Sequence, residues 1–305
     1  MSTPTFRAGV VRTPAGPDSI EILDVPVSAP GPGEVLVKIA AAPVNPVDLA
    51  VAGGAFHAAG LINQPERTGL GWDFAGSVVD AGPGAELAAG TRVAGLVTGF
   101  DRDFGTYAEQ IVVPAANLAV VPAGLDLIAA ATVPLNGLTA AQIVDLLGDA
   151  PAGGNRLLVT GAAGAVGGYV AVLAQDRGWQ VTGLARAQDE AFVRGLGAEF
   201  TTEAAAGWDA VADGAVLQER GLALVRDGGI FVGVLPSNRP AAERGVTVTS
   251  VMVHPDSAEL AGLLARTASG ELPGRVHAVV PLDEVADAHR AVAKGGVRGR
   301  YVLTP

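Results

Sequence analysis

Residues 156 to 186, RLLVTGAAGAVGGYVAVLAQDRGWQVTGLAR, contain the clearest structural pattern in this chain. It begins with an apolar run at residues 157 to 159, short enough for a buried strand, and continues with a turn of small residues at 161 to 167. Apolar residues then recur at helical spacing, and a second apolar run follows at 181 to 184. This order predicts a β-turn-α-β unit of about 30 residues, the context in which a glycine-rich turn indicates a dinucleotide site.

The turn predicts that a pyrophosphate binds at the start of the helix. N–H groups in the first helical turn lack intrahelical acceptors and lie at the positive end of the helix dipole. Gly164 and Gly167 allow close approach because they carry no Cβ. Ala162 stands where the strict G-x-G-x-x-G pattern has its first glycine, so the alternative is a turn that packs tightly and binds nothing.

The end of the second strand indicates which dinucleotide binds. An NAD site has Asp or Glu there, about 20 residues beyond the glycines, to bind the ribose 2′-hydroxyl. This chain has Gly183-Leu184-Ala185-Arg186, with no carboxylate to repel a 2′-phosphate and an arginine to pair with it. We therefore predict NADPH rather than NADH. The alternative for Arg186 alone is a solvated surface arginine.

Composition narrows the classes of function. The 305 residues suffice for two domains, and 49% hydrophobic against 17% charged residues predicts a large core. A net charge of −11 argues against nucleic acid or an anionic membrane as partner. The lack of cysteine excludes thiolate catalysis and thiolate zinc sites. We find neither the apolar core of a signal peptide nor a run of about 18 apolar residues, and expect a cytoplasmic protein.

Two patterns divide the chain. Up to about residue 120, short β-type segments alternate with Pro- and Gly-rich turns, which predicts a β domain. Strands and helices alternate afterwards, which predicts a parallel doubly wound sheet. The helices are expected at 126–147 (in two pieces around Pro134), 189–196, 217–225 and 256–269, and the strands at 209–212, 229–235 and 246–253. Residues 53–67 have no period and are expected to form a loop.

Seven motifs carry a resemblance to a known family. They are Asn45-Pro46-Val47-Asp48, Gly71-Trp72-Asp73-Phe74-Ala75-Gly76, Gly105-Thr106-Tyr107-Ala108-Glu109, Leu138-Thr139-Ala140, the 161–167 turn, Gly195-Leu196-Gly197-Ala198 and Val297-Arg298-Gly299-Arg300. In order and spacing they resemble the zinc-independent quinone oxidoreductases of the medium-chain dehydrogenase/reductase superfamily. The resemblance implies an α/β protein with a GroES-like β domain (1–121 and 270–305), a Rossmann domain with a doubly wound parallel sheet (122–269), and NADPH in the cleft between them.

The resemblance also implies residue roles. Asn45 would lie beside the nicotinamide and substrate, with Asp48 shaping the same wall. The implied cofactor residues are Gly164, Ala165 and Val166 at the pyrophosphate, Asn136 and Thr139 under the nicotinamide, Arg186 at the 2′-phosphate, Val234 and Leu235 at the nicotinamide through backbone groups, and Arg298 from the C-terminal segment. Read without the family, Asn45-Pro46 is a helix N-cap followed by an N1 proline.

No metal site is predicted. Zinc-dependent relatives have Gly-His-Glu where this chain has Gly71-Trp72-Asp73, and a cysteine near Asn45. The four histidines, His57, His254, His277 and His289, lack the spacing of metal ligands. His57 is the one whose loop could reach the cleft.

The chain departs from the family in three places. Residues 198–207 are too few for a full crossover helix, so we expect a short turn or one helical turn, and a thinner sheet face. Asp213-Gly214-Ala215-Val216 replaces a frequent Asp-Thr-Val-Gly, which puts the contacts of that loop with the ribose in doubt. The usual aromatic residue after Asn45-Pro46 is missing, which predicts a wider and more apolar pocket.

The main hypothesis is an NADPH-dependent reductase that transfers hydride to a quinone or to the β-carbon of an enone. Asn45 or a water would polarise the carbonyl oxygen, Tyr107 being a weaker candidate, and the lack of a Tyr-x-x-x-Lys pair excludes the short-chain reductase mechanism. The alternatives are an enoyl or alkenal reductase of a biosynthetic pathway and a non-catalytic NADPH-binding protein. The run VTVTSVMV at 246–253 predicts an edge strand, and the resemblance implies a homodimer through it.

Overall fold

The computed structural model describes residues 4–305 and divides the chain into two compact units. Unit 1 comprises Met1–Leu135 and His254–Pro305, and unit 2 comprises Asn136–Val253. The boundaries differ from those expected at 121/122 and 269/270. The reason is that the helix after residue 126 packs on the strands of unit 1, as does the helix after residue 256.

The N-terminal part of unit 1 is a β structure with short helices, as the turn-rich sequence predicts. Its elements are β1 (Thr5–Val11), β2 (Ile20–Pro26), β3 (Glu34–Pro43), α1 (Pro46–Ala52), α2 (Ala55–Ala58), β4 (Thr68–Gly69), β5 (Asp73–Ala81), β6 (Arg92–Leu96), β7 (Gln110–Pro114), β8 (Leu118–Val120) and α3 (Leu127–Ala131). The region 53–67 was expected to be a loop throughout, which is wrong for α2. That helix is a single turn, too short for a periodic pattern to reveal.

Unit 2 begins within one long helix and contains the alternating elements. They are α4 (Pro134–Leu147), β9 (Arg156–Thr160), α5 (Ala165–Leu173), β10 (Gln180–Leu184), α6 (Glu190–Gly195), β11 (Glu199–Thr201), β12 (Trp208–Asp213), α7 (Glu219–Leu222), β13 (Val225–Gly233) and β14 (Thr247–Ser250). The chain then returns to unit 1 with α8 (Ser257–Ala268), β15 (Val276–Pro281), α9 (Val285–Ala293) and β16 (Arg300–Thr304). The two-piece helix around Pro134 is confirmed.

The sheets of unit 1 place the N-terminus of α1 among several strands. One sheet has the order β2-β1-β4, and a seven-stranded sheet runs β15-β16-β3-β5-β6-β8 with β7 also paired to β3. The C-terminal strand β16 pairs antiparallel with the end of β3, where Val302 faces Pro43. Residues from distant parts of the sequence therefore meet just before Asn45, over a core that includes Val37, Phe74 and Tyr107.

Unit 2 is a doubly wound parallel sheet. The strand order is β11-β10-β9-β12-β13-β14, and all of its pairings are parallel. This is the 3-2-1-4-5-6 order of a dinucleotide-binding fold, in which ligands bind at the carboxyl ends of the strands where the order reverses. That point lies between β9 and β12, directly below the 161–167 turn.

Two sequence-based elements of unit 2 are wrong in extent. The helix expected at 217–225 is only α7, because β13 already begins at Val225 rather than at residue 229. The strand expected at 246–253 is the four-residue β14, which forms the sheet edge as predicted.

The short segment after β11 contains no crossover helix, as predicted, and of the two expected forms it lacks the single helical turn. Residues 202–207 connect β11 to β12 directly. The strand registers put Arg156, Gln180 and Glu199 on the sheet face that a crossover helix would cover, and all three are exposed. Leu158 and Thr182, on the same face, are buried, so this face is covered in part without a crossover helix.

Candidate active site

The 161–167 turn has the geometry of a phosphate cradle. Gly164 is the N-cap of α5, and its N–H donates to the Gly161 carbonyl at 2.7 Å. Gly161 has φ +63, a left-handed conformation that glycine adopts without strain. A Cβ on Gly167 would collide with the Gly161 carbonyl oxygen. The turn therefore needs the small residues that the sequence supplies, and it directs the first N–H groups of α5, those of Ala165 and Val166, out of the helix end.

The sheet below the turn is packed tightly against the helices. A Cβ on Gly183 of β10 would meet the side chains of Val193 at 2.5 Å and Ala162 at 2.7 Å. Ala162 is fully buried, so the residue that departs from the strict glycine pattern fills the space left by Gly183. This explains why the imperfect motif still forms the expected unit.

Arg186 lies just after β10, where the sequence places the residue that selects the cofactor. Its side chain is 48% exposed, and its Nε donates to the carboxylate of Asp189 at 2.8 Å. Asp189 itself is 2% exposed. Sequence reasoning found no carboxylate in the strand end and missed this one, because it stands three residues further on and turns back through a 3-10 turn. The guanidinium is thus anchored while half of it faces solvent.

The turn after β12 is organised by one carboxylate. Asp213 accepts from the Thr160 hydroxyl at 2.6 Å and from the backbone N–H groups of Leu217 at 3.0 Å and Gln218 at 2.8 Å. Val216 and Gln218 have φ values of 58 and 57, in the left-handed region. Val216 occupies the position where Asp-Thr-Val-Gly would have glycine, so this loop keeps the glycine conformation with a β-branched residue.

The remaining predicted cofactor residues lie on α4, after β13 and before β16. Asn136 (1% exposed) and Thr139 (7% exposed) are one helical turn apart on α4. Val234 and Leu235 follow the end of β13, and Leu235 is exposed. Arg298 is exposed, two residues before β16. These five roles stay predictions.

Asn45 is a buried helix cap in unit 1. It is the N-cap of α1, with Pro46 at N1, and is 1% exposed. Its Nδ2 donates to Asp73 Oδ1 at 2.8 Å, and its Oδ1 accepts from Arg300 Nε at 2.9 Å. The structural interpretation of Asn45-Pro46 is confirmed. The Asn45 amide thus bonds two side chains and holds the Arg300 guanidinium in one orientation. Arg300 was not among the residues selected from the sequence.

Asp48 is fully buried below Asn45. Its two oxygens accept from the backbone N–H groups of Asn45 at 2.8 Å and Gly71 at 3.1 Å, and the Tyr107 hydroxyl also hydrogen-bonds to it. Burial raises the pKa of Asp48 to about 6, although these hydrogen bonds and the nearby Arg102 oppose the shift. Asp48 therefore fixes the entry into α1 and the Gly71 turn.

Asp73, at the start of β5, is the second fully buried carboxyl group. Its Oδ2 accepts from the N–H of Leu135 at 3.1 Å, while Oδ1 holds Asn45. Burial raises the pKa of Asp73 to about 8, and the charge of Asp48 adds to the increase, while Arg300 and the two hydrogen bonds oppose it. The sequence motif around residue 73 marked a family, and nothing in it indicated this pair of contacts.

A tyrosine-histidine pair extends the buried polar cluster. The Tyr107 hydroxyl lies 3.3 Å from His289 Nε2, and both side chains are inaccessible to solvent. Burial lowers the pKa of His289 to about 4, which keeps the imidazole neutral, and burial raises the pKa of Tyr107. The Tyr107 side chain is thus enclosed in the core of unit 1.

An aromatic cluster lies next to this buried group. The ring centroids of Phe56 and Phe100 are 4.2 Å apart, those of Trp72 and Phe100 are 5.2 Å apart, and the Arg102 guanidinium lies over Trp72. His57 Nε2 lies 3.1 Å from the Thr68 hydroxyl. The rings of this cluster come from α2, from the residue before β5 and from the 97–106 loop, and the expected wider, more apolar pocket stays a prediction.

The donor set does not fit a zinc ion. Within residues 4–305, no group of three or more His, Cys, Asp and Glu side chains is placed to hold a metal. Trp72 and Asp73 occupy the positions of a zinc-site His-Glu pair, and both Asp73 oxygens already accept N–H donors.

No helix in the described part of the chain is long and apolar enough to cross a membrane.

Comparison with known proteins identifies the family. Residues 31–123 match the family of the alcohol dehydrogenase GroES-like domain, and residues 186–303 match the family named zinc-binding dehydrogenase. A crystal structure described as an NAD-dependent alcohol dehydrogenase is 30% identical, covers 98% of this chain and 99% of its own, and superposes with a TM-score of 0.82. The chain belongs to the medium-chain dehydrogenase/reductase superfamily. The GroES-like and Rossmann architecture predicted from the sequence is confirmed.

Two curated members of this superfamily bear on the reaction. The quinone-oxidoreductase homolog of Spinacia oleracea chloroplasts is 32% identical over 190 residues, which are 60% of this chain and 56% of that protein. The trans-enoyl reductase pgmF of Aspergillus terreus is 34% identical over 176 residues, 55% of this chain and 48% of that protein. The chain spans about half the length of such relatives. The likeness to quinone oxidoreductases is therefore confirmed at the level of the family.

Proposed function

We propose that this superfamily member is a zinc-independent, NADPH-dependent reductase that delivers hydride to a quinone or to the β-carbon of an α,β-unsaturated carbonyl compound. The observation that carries the proposal is the glycine cradle at the start of α5 with Arg186 anchored after the neighbouring strand. The cradle offers backbone N–H groups to a pyrophosphate. Arg186 offers a half-exposed guanidinium to a 2′-phosphate.

The bound nicotinamide would supply the hydride, and the chain would supply orientation and a water-poor environment. In unit 2, the N–H groups of Ala165 and Val166 would hold the pyrophosphate, and Gly164, whose own N–H bonds Gly161, would allow its close approach. Asn136 and Thr139 would lie along the nicotinamide. In unit 1, the buried Asn45 would hold the Arg300 guanidinium in one orientation. The reduced acceptor also needs a proton, which we assign to water because both polar atoms of the Asn45 amide already bond protein groups.

The competing cofactor is NADH. One solved relative is described as NAD-dependent, and Asp189 stands close enough to Arg186 to offset part of its charge. NADPH is favoured because the Asp189 carboxylate is almost fully buried whereas the guanidinium is half exposed, so a ligand meets the cation first.

The competing acceptor class is an enoyl or alkenal substrate of a biosynthetic pathway. The likeness to the trans-enoyl reductase of Aspergillus terreus favours it. The aromatic cluster of Phe56, Trp72 and Phe100 favours a planar acceptor such as a quinone, because rings pack on rings in offset or edge arrangements. A panel of quinones, 2-enals and enoyl thioesters at one NADPH concentration distinguishes the two by kcat/KM. Failure of all three classes with bound NADPH would leave a non-catalytic NADPH-binding protein.

We also propose a homodimer formed through β14. This strand is the edge of the unit 2 sheet, and Met252 just beyond it is 73% exposed. An open edge with an exposed apolar side chain favours strand pairing between copies. Analytical ultracentrifugation should give twice the chain mass of 30.4 kDa, and a sedimenting monomer would contradict the proposal.

A further inference from the structure

Asp73 makes buried hydrogen bonds that have no role in the reaction proposed above. It is the first residue of β5, it is completely buried, and its two carboxyl oxygens accept from two different parts of unit 1. One donor is the Asn45 side chain at 2.8 Å, and the other is the backbone N–H of Leu135 at 3.1 Å. Burying a carboxyl group is costly, as the raised pKa shows. A fold that needed only to fill this space would do so with an apolar side chain.

The first contact fixes the orientation of the Asn45 amide. Nδ2 faces Asp73 and Oδ1 faces Arg300 Nε. Rotating the amide by half a turn would put its NH₂ against Arg300 and its oxygen against Asp73, so that donor would meet donor and acceptor would meet acceptor. The carboxyl group of Asp73 therefore determines which way the donors and acceptors point in the hydrogen-bond series Asp73–Asn45–Arg300.

The second contact caps the start of α4. Pro134 is the first residue of this helix and has no N–H, so Leu135 carries one of the first N–H groups without an intrahelical acceptor. Asp73 accepts it from a strand more than 60 residues earlier. The same helix carries Asn136 and Thr139, one and four residues further on.

We infer that Asp73 is a positioning residue, whose carboxyl group holds the Asn45–Arg300 pair and the first turn of α4 in the one arrangement that hydride transfer requires. This inference rests on the proposed reductase function. The role is positioning and not catalytic, since Asp73 has no exposed surface with which to touch a substrate.

The test exploits the donor and acceptor pattern. The assays are run at about pH 9, above the pKa of about 8 that burial gives Asp73, where the ionised carboxylate offers two acceptors. Asp73→Asn keeps the shape but offers one acceptor and one NH₂ group, so one contact is lost. The double variant Asn45→Asp/Asp73→Asn exchanges the pair: Asp at 45 accepts from Asn at 73 and from Arg300, and the remaining oxygen at 73 accepts from Leu135. Asp80→Asn, on the exposed part of the same strand, is the matched control.

We expect Asp73→Asn to lower kcat by about tenfold to a hundredfold, in line with the loss of one buried hydrogen bond, while the Kd for NADPH changes by less than about threefold. The exchanged pair should recover most of the lost kcat and of any loss in Tm, and Asp80→Asn should behave like wild type. An unchanged kcat in Asp73→Asn would overturn the inference. So would an exchanged pair that recovers Tm without kcat. If Asp73→Asn does not fold, recovery of folding and kcat by the exchanged pair still decides.

A second readout separates this inference from the proposed function. If the wild type oxidises NADPH with none of the acceptors, the proposed function fails. The positioning contact is then tested by the amide signal of Leu135 in protein labelled with ¹⁵N-leucine, assigned through Leu135→Met. The signal should shift in Asp73→Ala, which removes both acceptors, and stay in place in Asp80→Asn; an unshifted signal in Asp73→Ala would overturn the contact.

Discussion

Replacing Arg186 by alanine should convert a preference for NADPH into near equality with NADH. The guanidinium is half exposed and already bonds Asp189, so its interaction with a 2′-phosphate lies toward the lower end of the range for charged hydrogen bonds. We expect a loss of about 1–2 kcal/mol, which corresponds to about a 5- to 30-fold increase in the Kd for NADPH. The Kd for NADH should change by less than about twofold, because NADH has no 2′-phosphate.

The assay is a paired titration of nicotinamide fluorescence with both cofactors at fixed ionic strength. Arg194→Ala is the matched control, since this arginine bonds Glu190 at 2.8 Å and is 56% exposed, much as Arg186 bonds Asp189. Arg194 lies within α6, well beyond Leu184, the last residue of β10. Equal losses for NADPH and NADH in Arg186→Ala, or a comparable loss in Arg194→Ala, would refute the assignment of Arg186 to the phosphate.

Three further predictions concern stability. Val216→Gly should raise the free energy of unfolding by about 0.5–1 kcal/mol in urea titrations, because glycine adopts the φ of 58 without strain and Val216 is 42% exposed; a destabilised variant would contradict this. Gly167→Ala should cost about 1–3 kcal/mol, because its Cβ would collide with the Gly161 carbonyl oxygen, and an unchanged Tm would show that the turn can relax. The folded-state pKa of Asp73, about 8, lies above its ordinary value, so its protonation stabilises the fold fully below about pH 4 and progressively less as the pH rises to 8. The wild type should therefore lose unfolding free energy relative to Asp73→Asn by up to about 1.4 kcal/mol per pH unit between pH 5 and 8, and a pH-independent difference would be inconsistent with it.

The sequence was most informative where one local pattern determines one structure. The apolar runs on either side of the 161–167 turn predict the β9-α5-β10 unit because strand, turn and helix each have their own period or residue type. The edge position of β14 and the missing crossover helix at 202–207 follow from segment order and length alone. Such features depend on neighbours in the chain, which a sequence displays directly.

The candidate site was less predictable because its contacts join distant segments. The Asp73–Leu135 hydrogen bond spans 62 residues and Arg300–Asn45 spans 255. Neither pairing follows from local spacing, and Arg300 was overlooked beside Arg298 for this reason. Asp189 was missed because a 3-10 turn folds it back on Arg186, an effect that depends on backbone geometry beyond the strand.

The proposed reaction requires that the chain bind NADPH and transfer its hydride to a conjugated acceptor. Single-turnover stopped-flow mixing tests this most directly, with protein and NADPH in one syringe and a 1,4-quinone or an α,β-unsaturated ketone in the other. We expect rapid loss of the nicotinamide absorbance, at a rate that increases with protein concentration and falls in Asp73→Asn. Tight NADPH binding with no oxidation by either class of acceptor would contradict it.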